Sequence, residues 1–239
     1  LVKVDLTLRT QTRPALEKRI AAFWDSFDER RASLTGHNST PIRPERVMAA
    51  LQTLLTPDMI VAADASYSSM WIVGQLRCLA PGMRFLTPRG LAGLGWGLPL
   101  AIGAKVARPQ AGVVALVGDG GFAHSWAELE TMVRMGISVT VIVLNNGVLG
   151  YQKDAETVKF GTYTTACHFA PVDHAAIARA CGCEGVRVEA ADQILPALRA
   201  ALQSDRPTLI EVATDPDAHP AISLYDGTLD KAPRAVELV

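Results

Sequence analysis

The sequence predicts an α/β fold, an open and mostly parallel sheet covered by helices on both faces, and three observations carry that prediction. Two continuous apolar runs, Val113-Val114-Ala115-Leu116-Val117 and Val139 to Leu144, suit strands buried on both sides. Between them Trp126, Leu129 and Val133 fall at helical spacing with Gly136 as a stop signal, which makes one βαβ unit. From Pro41 onward strand-like and helix-like segments alternate, the rhythm of a parallel sheet with crossover helices.

The elements follow in order. Leu1 to Leu6 alternates apolar and polar residues like an edge strand, and Arg9 to His37 is a charged stretch around Ala21-Ala22-Phe23-Trp24, read as a linker with an amphipathic helix. Arg43 to Leu55 has helical period, Met59 to Ala63 is a strand, Ser68 to Leu79 a helix and Leu91 to Val106 another with small residues on its packed face. After the βαβ unit, Val172 to Ala180 reads as a helix and Val186 to Val188 as a strand. Asp192 is expected to cap a helix over Gln193 to Gln203, before a last buried strand at Thr208 to Ala213. The expected organisation is residues 1–40 as the tail of a preceding domain and a helical linker, 41–214 as the α/β domain, and 215–239, with Pro216, Pro220 and Pro233, as an extended surface tail.

At 239 residues and 49% hydrophobic content the chain can bury one large core. A net charge of −1 with interspersed signs argues against nucleic acid or a membrane surface as partner, and no apolar span approaches transmembrane length. The four cysteines are not spaced as a disulfide framework, and Cys181-Gly182-Cys183 is too short for the usual zinc motifs, so buried free thiols and a cytoplasmic location are expected.

Chemistry concentrates at the carboxyl ends of the two buried strands, the edge at which open α/β sheets bind ligands. The first strand runs into Gly118-Asp119-Gly120-Gly121; the second, with 24 residues between Gly120 and Asn145, ends in Asn145-Asn146. Asp119 and Asn146 offer hard oxygen donors suited to Mg²⁺, which shares itself between a few protein ligands and phosphate oxygens. Gly120 and Gly121, without side chains, let backbone N–H groups approach a diphosphate at a helix start. Taken alone, Gly-Asp-Gly-Gly reads as an ordinary turn, since Asp and Gly are common turn residues; the paired asparagines change that reading. Ser66 and Tyr67 fall in the loop after the first strand, at the same edge, as cofactor candidates or turn residues. His124 lies near the start of the helix after Gly121, where it could face a ligand or serve packing or capping.

The paired motifs resemble the thiamine diphosphate (ThDP) enzyme family, whose signature is Gly-Asp-Gly, a spacer of this length and Asn-Asn; Glu128-Leu129-Glu130-Thr131 resembles its Glu-Leu-x-Thr. A second block, Gly90-Leu91-Ala92-Gly93-Leu94-Gly95-Trp96-Gly97-Leu98-Pro99, is similar to the acetolactate synthase segment Gly-Leu-Gly-Thr-Met-Gly-Phe-Gly-Leu-Pro. The resemblance implies Asp119, Asn146 and the carbonyl of Val148 as Mg²⁺ ligands, with Gly118, Gly120 and Gly121 around the diphosphate. It implies Leu94 as the apolar wedge that bends ThDP into its reactive V shape, and the carbonyl of Ala92 as acceptor for the cofactor 4′-amino group. Ala92 stands where the pattern has Gly, and Ala does not easily take a positive φ.

The implied function is a ThDP- and Mg²⁺-dependent decarboxylase or carboligase acting on a 2-oxo acid, the chain being its C-terminal cofactor-binding part. The alternatives are a C–C bond-cleaving hydrolase or lyase and a catalytically silent homologue. The resemblance further implies a homodimer or homotetramer in which a second subunit supplies the activating Glu, and it leaves open an FAD site in a domain outside this chain. Tyr151 and Gln152 occupy the stretch where the family places substrate-shaping side chains, although Gly150 to Asp154 departs from the aromatic and Gln-rich acetolactate synthase pattern. Gly147 to Gly161 has the composition of a loop or short helix ordering over a cofactor.

Overall fold

In the computed structural model, which describes residues 13–220 and 234–236, a six-stranded parallel sheet runs in the order β2-β1-β3-β4-β7-β6. Its strands are β1 (Ile60–Ala63), β2 (Arg84–Leu86), β3 (Val113–Gly118), β4 (Thr140–Asn145), β6 (Glu184–Val188) and β7 (Thr208–Ala213). The expected edge strand at Leu1 to Leu6 lies outside the described residues. The apolar runs are continuous because both faces are covered. From β3, Val114 and Leu116 enter one core with Met48, Leu51, Trp71, Ile72, Ile194 and Leu198. Val113, Ala115 and Val117 enter the other with Leu98, Ala101, Phe122, Leu129, Met132 and Ala178.

Helices α2 (Pro44–Gln52), α3 (Tyr67–Gln75) and α9 (Ile194–Gln203) cover the first face; α4 (Gly97–Ala107), α5 (Asp119–Phe122), α6 (Glu128–Met135) and α8 (His174–Ala180) cover the second. The amino-terminal α1 (Pro14–Thr35) buries no residue; it is tethered where Arg77 pairs with Asp28 and lays its guanidinium 4.2 Å over the Trp24 ring. After β4 the chain forms α7 (Gly150–Phe160) and the short β5 (Thr162–Thr164). Strand β5 pairs in parallel with β8 (Arg234–Val236), so part of the predicted surface tail returns to the fold. Ala218 in the same tail is buried, and Asp217 bonds the Lys153 ammonium at 2.7 Å.

Four expectations are corrected. The helix predicted from Leu91 starts only at Gly97, because Ala92 and Gly95 take φ of 58° and 89°, outside right-handed helix geometry, and the Asp64 carboxylate captures two N–H groups of the turn. Trp126 and Val133 are exposed; Leu129 and Met132 form the buried face of α6, which begins at Glu128. The helix predicted to Leu79 ends at Gln75, where Leu76 turns extended and is buried in the core. Asp192 does not cap α9: Gln193 Oε1 instead accepts from the Glu189 and Ala190 N–H groups. Gly136 ends α6 in the left-handed conformation, as predicted.

Among the described residues no helix is long and apolar enough to cross a membrane. All four cysteines are free thiols, Cys167 and Cys183 buried.

Candidate functional site

From β1 the chain crosses to β2 on one side and then returns past β1 to β3 on the other, so the carboxyl ends of β1 and β3 flank a topological switch point, the usual crevice of an open α/β sheet. A cavity of about 510 Å³ opens there. Its wall brings together Ser66, Tyr67, Ala92, Leu94, Gly118, Asp119, Gly120, Gly121, Asn146, Val148, Tyr151 and Gln152, that is, every sequence-derived candidate except His124. His124 is exposed and outside this lining, with its Cβ packed over Gly95. The absence of a side chain at Gly95 permits this approach, since a Cβ there would stand 2.7 Å from the His124 Cβ.

Asp119 is a buried carboxylate at the first turn of α5. Its Oδ1 accepts from the Gly120 N–H at 2.8 Å and its Oδ2 from the Gly147 N–H at 2.7 Å, which ties the ends of β3 and β4 together. Burial pushes its carboxyl up to about 6, against the pull of those two N–H groups. Asn146 folds back so that its Oδ1 accepts from the Val148 N–H at 3.2 Å. Among the described residues no three His, Cys, Asp or Glu side chains converge. A cation held here by Asp119 and Asn146 would have one carboxylate and one amide oxygen and would need further oxygens from a ligand, a donor balance that suits Mg²⁺ on a diphosphate. The residues fit such a group: the buried carboxylate has only N–H partners, and a cation would offset the cost of its charge.

Asp64, at the carboxyl end of β1, is the functional residue that the sequence reading passed over. Its side chain is almost wholly buried and accepts from the N–H groups of Ala65 at 2.8 Å, Gly95 at 2.9 Å and Trp96 at 3.1 Å. It clasps the turn that carries Ala92 and Leu94 against the sheet edge. An acid directly after a buried strand at the ligand edge was a signal within reach, but its partners lie about thirty residues downstream. Gly121 packs against this clasp, since a Cβ there would stand 2.0 Å from Asp64 Oδ2.

Ala92 takes a positive φ of 58° in spite of its Cβ, and so does Ser66 with φ 65°. Both line the cavity, where such strain commonly gathers. Relief of a left-handed cost of roughly 1–2 kcal/mol outweighs the roughly 0.4–1 kcal/mol lost by loosening the unfolded chain. Ala92→Gly is therefore expected to hold or raise Tm in thermal unfolding, and Ala92→Val to lower it. A lower Tm for the glycine variant would show that this backbone is not strained.

Tyr67 donates its hydroxyl to Asp154 of α7 and meets the Tyr151 ring edge-on at 5.8 Å between centroids. Burial raises the Asp154 carboxyl, opposed by that hydroxyl. The two tyrosines thus join α3 to α7 in one cavity wall. Gln152 is exposed on the rim and donates to Glu156 at 2.8 Å.

Residues 64–212 match the family described as "Thiamine pyrophosphate enzyme, C-terminal TPP binding domain". The chain belongs to this thiamine pyrophosphate enzyme family. It is 35% identical over 177 residues to the acetolactate synthase large subunit IlvG of Mycobacterium tuberculosis, covering 74% of this chain and 32% of that protein. To the catabolic acetolactate synthase of Raoultella terrigena it is 32% identical over 192 residues, covering 79% and 33%. Among solved structures it is similar to the thiamine diphosphate-dependent 4-hydroxybenzoylformate decarboxylase of Rhodococcus jostii RHA1, with TM-score 0.69 and 29% identity over 74% of this chain and 33% of that one. The chain spans about a third of the length of these relatives. The six-stranded parallel sheet is the architecture of a thiamine pyrophosphate enzyme domain, and its switch-point cavity is lined by matched residues except for Pro44, Thr214, Asp215 and Ala218.

Proposed function

We propose that this chain is the C-terminal cofactor-binding part of a ThDP- and Mg²⁺-dependent decarboxylase or carboligase acting on a 2-oxo acid. The observation that carries the reading is the convergence of Asp119, Asn146 and Val148 with the Ala92–Leu94 turn around one switch-point cavity in a thiamine pyrophosphate enzyme domain. Asp119, Asn146 and the Val148 carbonyl would hold the cation, and the backbone of Gly120 and Gly121 would face the diphosphate. The Gly120 N–H is turned to Asp119 Oδ1, so a diphosphate would have to share it with that carboxylate. When bound, ThDP supplies the carbanion chemistry that attacks a 2-oxo carbonyl and stabilises the decarboxylated product.

The protein's own part is orientation and exclusion of water. Asp64 fixes the turn through Gly95 and Trp96, which sets Leu94 as a steric wedge and aims the Ala92 carbonyl. Met70, Trp71, Leu144, Val148 and Leu149 give the cavity an apolar wall. Tyr151 and Gln152 stand at its substrate end in this reading. The activating Glu comes from a second subunit, so activity needs the full-length oligomer. A cytoplasmic enzyme with a small-molecule substrate fits this picture.

The test is full-length protein with ThDP, Mg²⁺ and a panel of 2-oxo acids, read as CO₂ release and as aldehyde or hydroxyketone formed. Cofactor binding without consumption of any 2-oxo acid would overturn the reaction class. Leu94→Ala is expected to bind ThDP normally while kcat falls about 10–100-fold, because the wedge acts on the reactive geometry and not on the diphosphate anchor. Normal turnover by that variant would remove Leu94 from the wedge role.

A further inference from the structure

Glu211 in β7 is a carboxylate buried to 1% exposure that the proposed chemistry does not use. It faces Val143 in the β4–β7 register, one pleat before Asn145 on the neighbouring strand. Its Oε1 accepts from Asn145 Nδ2 at 2.7 Å and from Arg187 Nη1 at 3.2 Å, with His174 Nδ1 at 3.5 Å, and its Oε2 accepts from the Ala175 N–H at 3.0 Å. Burial alone would raise this carboxyl, but the bonds from His174, Asn145 and the Ala175 N–H outweigh it and bring it to about 2. Asn145 continues the chain of contacts: its Oδ1 accepts from the Gly147 N–H at 3.2 Å, the same N–H that donates to Asp119 Oδ2.

We propose that Glu211, acting through Asn145, is a positioning residue for the cation-binding loop 146–148, an inference that rests on Asp119, Asn146 and Val148 being the cation ligands. An amide has two orientations related by a flip, and an ionised carboxylate is an acceptor only. Against Glu211, Asn145 must present its NH₂, so its oxygen is committed to the Gly147 N–H. The flipped amide would set two donors against each other at Gly147. Gly147 holds φ 68°, and its N–H is shared between Asn145 and Asp119, so the Asn145 amide helps set the direction in which Asn146 and the Val148 carbonyl leave β4, together with the Phe169 N–H that donates to the Gly147 carbonyl at 2.9 Å. Buried ion pairs are costly and are often replaceable as a whole by apolar groups without loss of stability. Directing an amide is a role that no apolar residue fills.

The test measures ThDP retention by the full-length protein during a Mg²⁺ titration, alongside Tm without cofactor. Glu211→Gln and Asn145→Ala are expected to raise the Mg²⁺ midpoint about 10–100-fold, the usual cost of losing a group that orients a metal ligand. The reciprocal Glu211→Gln/Asn145→Asp pair is expected to move the midpoint back toward wild type, because the carboxylate then at position 145 accepts both from the amide at position 211 and from the Gly147 N–H. A wild-type midpoint in Asn145→Ala overturns the proposal, and that variant decides the matter if Glu211→Gln fails to fold. Weakened binding in both single variants with no recovery in the pair also overturns it, since a purely structural loss would then suffice. Mg²⁺-dependent retention by Asp119→Ala would instead sink the ligand assignment itself, so the two failures are distinguishable.

Discussion

Asp119→Ala in the full-length protein is expected to abolish Mg²⁺-dependent ThDP retention, with apparent affinity falling by more than about 100-fold, because even groups that only orient a ligand typically cost 10–100-fold. Asp119 is the one carboxylate proposed for the cation, and what remains, an amide oxygen and a carbonyl, is neutral. Asn146→Ala should weaken retention in the same direction and by less. Asp119→Asn separates the cation from the fold. The carboxyl, pushed up to about 6 from its ordinary 3.8, makes the folded state without cation less stable as pH rises through that interval. The cost is fully present above about pH 6 and absent well below 3.8. The neutral Asn variant without cofactor escapes this cost but sets its NH₂ against the Gly120 or the Gly147 N–H, so its stability should no longer fall as pH rises from 3.8 to about 6, while Mg²⁺-dependent binding is lost. Equilibrium dialysis of ThDP against Mg²⁺ concentration, with thermal unfolding of the cofactor-free protein, reads both. Unchanged cofactor affinity in both the Asp119→Ala and Asn146→Ala variants would sink the cation assignment.

Gly121→Ala is expected to be the most damaging single methyl in the site. The added Cβ would stand 2.0 Å from Asp64 Oδ2 and 3.1 Å from its Cγ. That carboxylate cannot swing aside freely, because it holds the N–H groups of Ala65, Gly95 and Trp96. Either the backbone of α5 shifts away from β1 or the clasp opens and leaves N–H groups unpaired, and overpacking of this kind costs about 1–3 kcal/mol. For a chain of this size 1 kcal/mol corresponds to about 2–4 °C in Tm. Catalysis should fall further than stability, since the clasp fixes Leu94. Asp64→Ala opens the same clasp, so the Gly121→Ala/Asp64→Ala pair should cost less than the two single effects combined. Strict additivity, or wild-type Tm and kcat for Gly121→Ala, would show that this contact does not position the turn.

Several elements were legible in the sequence because their signal is local. The β3 and β4 runs are apolar at every position since each strand is covered on both sides, and no tertiary knowledge is needed to see it. Gly118-Asp119-Gly120 and Asn145-Asn146 each sit directly after such a run, so their arrival at one sheet edge follows from parallel pairing. β2 and β5, three residues each, carry no period long enough to register. The helix expected from Leu91 was misjudged because its apolar and small residues do suit a helix. A carboxylate on another strand, and two residues with positive φ, overrule that local preference.

By itself, then, the chain's order of residues determined a parallel α/β sheet and the two motifs that end adjacent strands, since burial on both faces and turn chemistry are written in contiguous residues. Only the tertiary structure decided how the site is held. Asp64 meets Gly95 and Trp96, Glu211 meets Asn145, and Tyr67 meets Asp154, pairs brought together by strand order and by helices packing across the sheet edge. The same packing imposes φ 58° on Ala92, which its side chain disfavours. A buried hydrogen bond between residues far apart in the chain leaves no periodic trace in either segment. It arises only when the sheet has assembled and water has been excluded from both partners.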